Sequence, residues 1–445
     1  MYLYKTKWGI DLINRIANKY KNTIRVLSYF SIITGYILMI GVIYVFYSLI
    51  KLHIFLPETV RMIKVPPIMP LIPYLPQVFK IGFLPPFYFT YWILIIAVIA
   101  ITHEVAHGIV AASNNVKIKT TGFGFFPFFL PIFLAAFVEP DENTMKKKTK
   151  FAQMAILTAG VFANVLTGIL VFVALTSFFY MAFSPSGIIY DNYATTQINL
   201  SEIILINGVT LEAPNYEKIM KNSKEGLNEI LTKGGGKYLL TKEMLEKQKN
   251  MNEIYVYYDA PAIRENLSAV ITEINNIPVQ DLSSLTKELS RYSPGDEVVV
   301  KSITENGVTE KKIILGENPI DKEKAWLGIG FLERNEKNGI LSNLLNDISN
   351  LFSFKKPHVY YKPKFNGLSI FIYNLLWWLV IISFSVALIN MTPFGIFDGG
   401  RFFYLTILTL TKSENIAKKS FDLATKLFFL FIVFLFALWV ASFFR

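Results

Sequence analysis

Histidine is scarce in this chain, four in 445 residues, and two of the four sit in one short string, His103-Glu104-Val105-Ala106-His107. On a helix, positions i and i+4 share a face, so both imidazoles can grip one divalent metal ion. Glu104 stands beside them, placed to take a proton from a water that the metal has made acidic. The string lies in a long apolar stretch, where ionisable side chains are costly and usually functional. The bland alternative is a helix end at which His and Glu simply meet solvent. His53 and His358 stand in loop-like or insertion-edge stretches and are not expected as ligands. The chain has no Cys, which excludes thiolate ligands and thiol chemistry.

A catalytic zinc takes three protein ligands and keeps one position open for water. A further His at the spacing of the extended soluble-protease motif would stand at position 113, which is Ser113. The acidic candidates outside the N-terminal part and the polar middle are Asp398, Glu414, Asp422, Glu139, Asp141 and Glu142. Asp398 stands out. It ends a 33-residue uncharged run, within Asn390-Met391-Thr392-Pro393-Phe394-Gly395-Ile396-Phe397-Asp398-Gly399-Gly400. Pro393 and the glycines break helix geometry and let the backbone bend there. A helix N-cap at Asp398 is the competing reading, and the two roles are compatible.

The elements that must position these residues are apolar. Hydrophobic residues make up 53% of the chain and charged residues 17%, against about 25% charged in a soluble domain. An ordinary soluble enzyme, a disordered chain and a disulfide scaffold are thereby excluded. Five apolar runs predict membrane spans, at 26–50, 87–113, 151–182, 367–392 and 420–444; a sixth candidate around 399–412 holds only a short uncharged run, 402–411, and whether it crosses fully stays open. The 120–138 run carries Gly122, Gly124, Pro127 and Pro131 among aromatics, which predicts a re-entrant hairpin or buried loop. Seven prolines between Pro66 and Pro86 predict an extended linker along the outer membrane face.

The net charge of +11 is unevenly placed. Residues 184–364 hold 22 basic and 24 acidic groups, so the positive excess belongs to the apolar part and its short loops. Such a balance points to an anionic membrane surface and not to nucleic acid. Residues 1–25 and the lysines at 146, 147, 148 and 150 are placed in the cytoplasm by the positive-inside rule. A helix entering from outside near Phe87 then puts His103 about 24 Å along its axis, near the inner face. The span ending near Asp398 also runs inward, so the two meet at one depth.

Residues 184–364 read as a soluble α+β insertion with alternating strands at 254–258, 298–302 and 311–315. An internal echo runs through it. Tyr190-Asp191, Asn199-Leu200-Ser201 and Ile206-Asn207-Gly208 are followed by Tyr258-Asp259, Asn266-Leu267-Ser268 and Ile274-Asn275-Asn276, predicting a duplicated strand–turn–strand unit. The second copy, with Asp259-Ala260-Pro261-Ala262 and Ser293-Pro294-Gly295-Asp296, resembles a PDZ domain, which binds peptide as an added strand; the first copy reads as incomplete or interrupted by 212–253, and an unrelated small β-rich domain is the other reading.

With these residues in view, the chain resembles the site-2 proteases, intramembrane zinc metalloproteases that pair His-Glu-x-x-His with a distant Asn-x-x-Pro…Asp-Gly segment. Ala135-Ala136-Phe137-Val138-Glu139-Pro140 is also similar to that family. Phe397 replaces the usual Leu before Asp398, and Val161 the usual Pro after Gly160. The resemblance implies a membrane α-helical bundle of about six transmembrane helices plus a re-entrant hairpin, with an inserted α+β PDZ-like region. Its parts are a basic segment 1–25, membrane parts 26–182 and 365–445, and an extracytoplasmic region 184–364. It further implies Zn2+ held by His103, His107 and Asp398, with Glu104 as general base, and substrate contacts from Asn390 and Asn164. Interhelix hydrogen bonding is the other reading of each Asn. The implied activity is hydrolysis of transmembrane protein substrates within the lipid bilayer, in the plasma membrane of a prokaryotic cell. Two alternatives stay open: a membrane zinc protease of another class with a Glu as third ligand, and a nonenzymatic PDZ-bearing membrane adaptor or transporter.

Overall fold

The computed structural model describes the chain except residues 1, 7, 56–59, 61–65, 67, 82–83, 127–131, 250, 305–306, 332–352 and 442–445. It divides into two units, Met1–Met181 with Asn366–Arg445, and Ala182–Phe365.

In the first unit a strand β1 (Tyr2–Thr6) precedes an amphipathic helix α1 (Trp8–Lys19) and a long helix α2 (Lys21–Phe55). Helix α3 (Phe89–Ser113) leads into the hairpin β2 (Ile118–Phe126) and β3 (Ile132–Pro140), then into α4 (Lys150–Ala182). After the second unit come α5 (Asn366–Asn390), α6 (Asp398–Thr411) and α7 (Glu414–Ala441). Helices α2, α3, α4, α5 and α7 are the five among the described residues long and apolar enough to cross a membrane. Each holds a strongly apolar stretch of membrane-spanning length, as a helix between protein and lipid must. In α2 the buried positions Ile24, Ser28, Ser31, Gly35, Met39 and Val42 recur every three or four residues, forming one protein-facing stripe. Small residues there permit close approach to α4, and Ser31 Oγ lies 3.0 Å from Thr158 Oγ1. On α7 only Ala417, Phe428 and Leu435 are buried.

Three regions add detail to the sequence reading. The sixth candidate span is α6, whose 14 residues extend about 21 Å, short of the roughly 30 Å hydrocarbon core. The 120–138 run is β-structure: β2 and β3 pair antiparallel, and their tip at 127–131 lies outside the described residues. The basic N-terminus joins the hairpin's sheet. β1 pairs with β2, giving the order β1-β2-β3, and Ile13 and Ala17 of α1 are buried. Among the described residues of the proline-rich linker there is a single helical turn, at Leu75–Val78, flanked by turns and bends. Leu71 there accepts a hydrogen bond from Trp92 Nε1 on α3 at 2.9 Å.

The second unit holds two six-stranded sheets, each over its own core. One order of elements occurs twice. The strand Ile203–Ile206, a turn, Val209–Thr210, the helix Tyr216–Asn222 and the strands Leu227–Thr232 and Lys237–Thr241 form the first copy. Val270–Ile274, Ile277–Pro278, the helix Leu282–Leu289, Glu297–Thr304 and Gly307–Ile314 form the second. In each, the first strand pairs antiparallel with the strand after the helix. The turn asparagines do the same work in both copies. Asn207 and Asn275 adopt φ of 50° and 47°, and their side-chain oxygens accept from the N–H of Glu229 and Val299.

Candidate metal centre

His103 and His107 lie two turns from the end of α3, facing α4 and the start of α6. Their Nε2 atoms are 3.0 Å apart. Asp398 Oδ2 lies 3.4 Å from the first and 3.3 Å from the second. These three are the group among the described residues whose ligand atoms converge tightly enough to hold a metal ion. Zinc–nitrogen and zinc–oxygen bonds of about 2.0–2.1 Å place neighbouring tetrahedral ligand atoms about 3.3–3.4 Å apart. The observed triangle of 3.0, 3.3 and 3.4 Å therefore fits zinc with little adjustment.

Asp398 is the first residue of α6; Phe397, not Asp398, occupies the cap position. Its approach depends on the glycines after it. A Cβ at Gly399 would stand 2.3 Å from the Met391 carbonyl carbon, and one at Gly400 2.4 Å from the Phe394 oxygen. The bent segment between α5 and α6 thus folds back on the helix start, which only glycine permits, and carries the carboxylate to the imidazoles.

One face of α4 forms the wall behind the ligands. Ile156, Gly160 and Asn164 are spaced i, i+4, i+8 and so lie in one row. The Ile156 carbonyl accepts from His107 Nδ1 at 2.6 Å, which leaves His107 Nε2 bare for a metal. A Cβ at Gly160 would lie 2.4 Å from His107 Nε2 and 2.7 Å from two His103 ring carbons. Asn164 is fully buried, and its amide lies 3.0 Å from His103 Nδ1. Asn164 therefore stands behind a ligand, and the lining of the cleft described below does not include it. From the sequence, Asn164 reads as a substrate contact or an interhelix hydrogen bond and Gly160 only as a motif neighbour; Ile156, acting through its carbonyl, carried no signal of residue type.

Glu104 points to the other side. Its Oε2 accepts from the Val138 N–H of β3 at 3.0 Å, so the hairpin holds the carboxylate. A cleft of about 350 Å³ opens beside it, lined by His103, Glu104, Ala136, Asn390, Asp398 and apolar side chains including Ile99 and Ile382. Asn390, the last residue of α5, is thus on the cleft.

The remaining candidates are engaged elsewhere. Glu139 accepts from Thr120, Asp141 caps the helix Glu142–Lys146, and Glu142 pairs with Arg401. Glu414 and Asp422 line a different pocket. His53 Nδ1 lies 2.8 Å from the Leu49 carbonyl oxygen, and His358 faces Asp191.

Comparison with known proteins agrees with this geometry. The model for "Peptidase family M50", the site-2 protease family, matches residues 91–435, from α3 through most of α7. The chain belongs to peptidase family M50. A protein of Helicobacter pylori (strain J99) named "Putative zinc metalloprotease" is 23% identical over 275 residues, covering 53% of this chain and 74% of the relative. The cofactor of this M50 metalloprotease is zinc, which accords with the His-His-Asp donor set.

Proposed function

We propose that this M50 metalloprotease is an intramembrane endopeptidase of site-2 type, cleaving peptide bonds within or beside transmembrane segments of other membrane proteins. The observation that carries the proposal is the ring of His103, His107 and Asp398 opening, with Glu104, onto an apolar-walled cleft among membrane-long helices. Those three side chains would hold the zinc, which when bound would supply a Lewis acid for the scissile carbonyl and the attacking water. Glu104 takes the water's proton and returns it to the leaving amine nitrogen. The Val138 N–H keeps that carboxylate turned to the cleft. Asn390 donates a hydrogen bond to the substrate carbonyl oxygen as it gains charge.

A helical substrate must unwind first, since its carbonyls are already hydrogen-bonded. Strand β3 is an edge of its sheet, and Ala136 lines the cleft two residues before Val138. An unwound segment lying along β3 would satisfy its backbone groups there. The second unit, read as a duplicated PDZ-like region on the extracytoplasmic side, selects which membrane proteins are admitted. The enzyme works in the plasma membrane of a prokaryotic cell, with transmembrane proteins and the bilayer as its partners and no nucleic acid.

The test is cleavage of a single-span reporter in proteoliposomes loaded with zinc. Wild type is expected to cut within or beside the span, and Glu104→Gln to bind the reporter without cutting it. Cleavage restricted to soluble peptides, or normal turnover by Glu104→Gln, would contradict the proposal.

A further inference from the structure

Beside the metal ligands stands a buried polar group whose role the ligands and the base do not explain. Asn164 is 0% exposed, and its Oδ1 has no hydrogen-bond partner, while its other amide atom lies 3.0 Å from His103 Nδ1. A carboxamide's oxygen and nitrogen are told apart by their hydrogen-bond partners, so either can face the ring. Ligation through His103 Nε2 decides the matter. A neutral imidazole with a bare Nε2 carries its proton on Nδ1, and a buried N–H needs an acceptor. Asn164 supplies it when Oδ1 faces the ring, which also gives the orphaned oxygen its partner.

We infer that Asn164 is the positioning residue of the metal centre: its Oδ1 accepts from His103 Nδ1–H and locks the tautomer that presents Nε2 to zinc. It does for His103 what the Ile156 carbonyl does for His107. Both locks stand on one row of α4, on either side of Gly160, so a single helix face sets both ring orientations and both tautomers. The difference between them is chemical. A main-chain carbonyl can only accept, whereas a carboxamide turned over would donate to Nδ1 and select the tautomer unable to bind metal. The inference rests on the zinc-site reading above, and it excludes a substrate role for Asn164.

The test is zinc affinity of the purified full chain, measured by competition with a chromophoric chelator, with cobalt absorption as a second readout. Asn164→Leu keeps the volume and removes the acceptor. Its zinc dissociation constant is expected to rise about 10–100-fold, and its tetrahedral cobalt bands to weaken at equal metal. Asn164→Asp restores an acceptor and is expected to bind within a few-fold of wild type or tighter. Asn164→Ala replaces Asn164→Leu if the latter does not fold. Wild-type zinc affinity in the acceptor-free variant, or equal weakening in it and Asn164→Asp, would overturn the inference. So would a raised KM with unchanged zinc binding, the mark of a substrate contact. If wild type itself held no zinc, the metal site would fall, and the inference with it; zinc in wild type with indifference to Asn164 sinks the inference alone.

Discussion

Gly160→Ala makes the sharpest demand on the geometry. In a helix interior this substitution ordinarily stabilises by about 1 kcal/mol, since alanine loses less chain entropy. Here the new Cβ would lie 2.4 Å from His107 Nε2, whereas ordinary contact begins at 3.4 Å, so the shortfall is 1.0 Å. Two His103 ring carbons at 2.7 Å are crowded at once, so neither ring can yield by pushing toward the other. His107 is further held by the Ile156 carbonyl on the same helix. Zinc bonds tolerate about 0.2 Å, and a displacement near 1 Å breaks one. Zinc affinity is expected to fall at least about 100-fold, or about 2.7 kcal/mol, with the fold intact. Zinc per chain would be measured by mass spectrometry after dialysis against a zinc buffer, beside thermal melts. Gly41→Ala is the control, because its Cβ meets only Leu388 Cδ1 at 3.5 Å. Stoichiometric zinc at wild-type affinity in Gly160→Ala would refute the packing of α4 against the imidazoles.

Other outcomes follow from the same reading. The chain is free of cysteine, so single cysteines at Thr144 and Ser223 report sidedness; they are expected to react with impermeant reagent from opposite faces of sealed vesicles, and labelling of both from one face would contradict the Lys/Arg bias. In the second unit, Asp281 and Ser284 form a reciprocal cap on the helix Leu282–Leu289, and Asp281→Ala should cost about 1 kcal/mol in a melt of that unit's sheet signal. The Ser284 N–H holds the Asp281 carboxyl below its ordinary range. Its stabilising contribution is therefore complete above the unfolded carboxylate value, about 3.9, and disappears as pH falls through the depressed folded value; a melt midpoint gap between wild type and Asp281→Ala that widens in acid would contradict this.

Much of the centre was legible because its signals are local or categorical. His103, Glu104 and His107 are set by helical spacing, and Asp398 by a charge ending a long uncharged run before paired glycines. What escaped were contributions without a residue-type signature: the Ile156 carbonyl and the space above Gly160. Strands β2 and β3 were hidden by apolarity, because their aromatics and glycines resemble a broken membrane run until β1 pairs with β2. The repeat in the second unit was readable from its turns, since Asn207-Gly208 and Asn275-Asn276 favour left-handed backbone, which all four residues adopt. The shortness of α6 was legible in the brief uncharged run 402–411, whereas the left-handed cap at Lys412 that ends it is not specified by residue type.

The central claim is that His103, His107 and Asp398 hold the zinc while Glu104 does not. It is tested most directly by zinc stoichiometry of purified wild type, Asp398→Ala and Glu104→Gln measured side by side. The account predicts about one zinc per chain in wild type and in Glu104→Gln, and loss of most of it in Asp398→Ala. Full zinc in Asp398→Ala, or loss of zinc in Glu104→Gln, would contradict it.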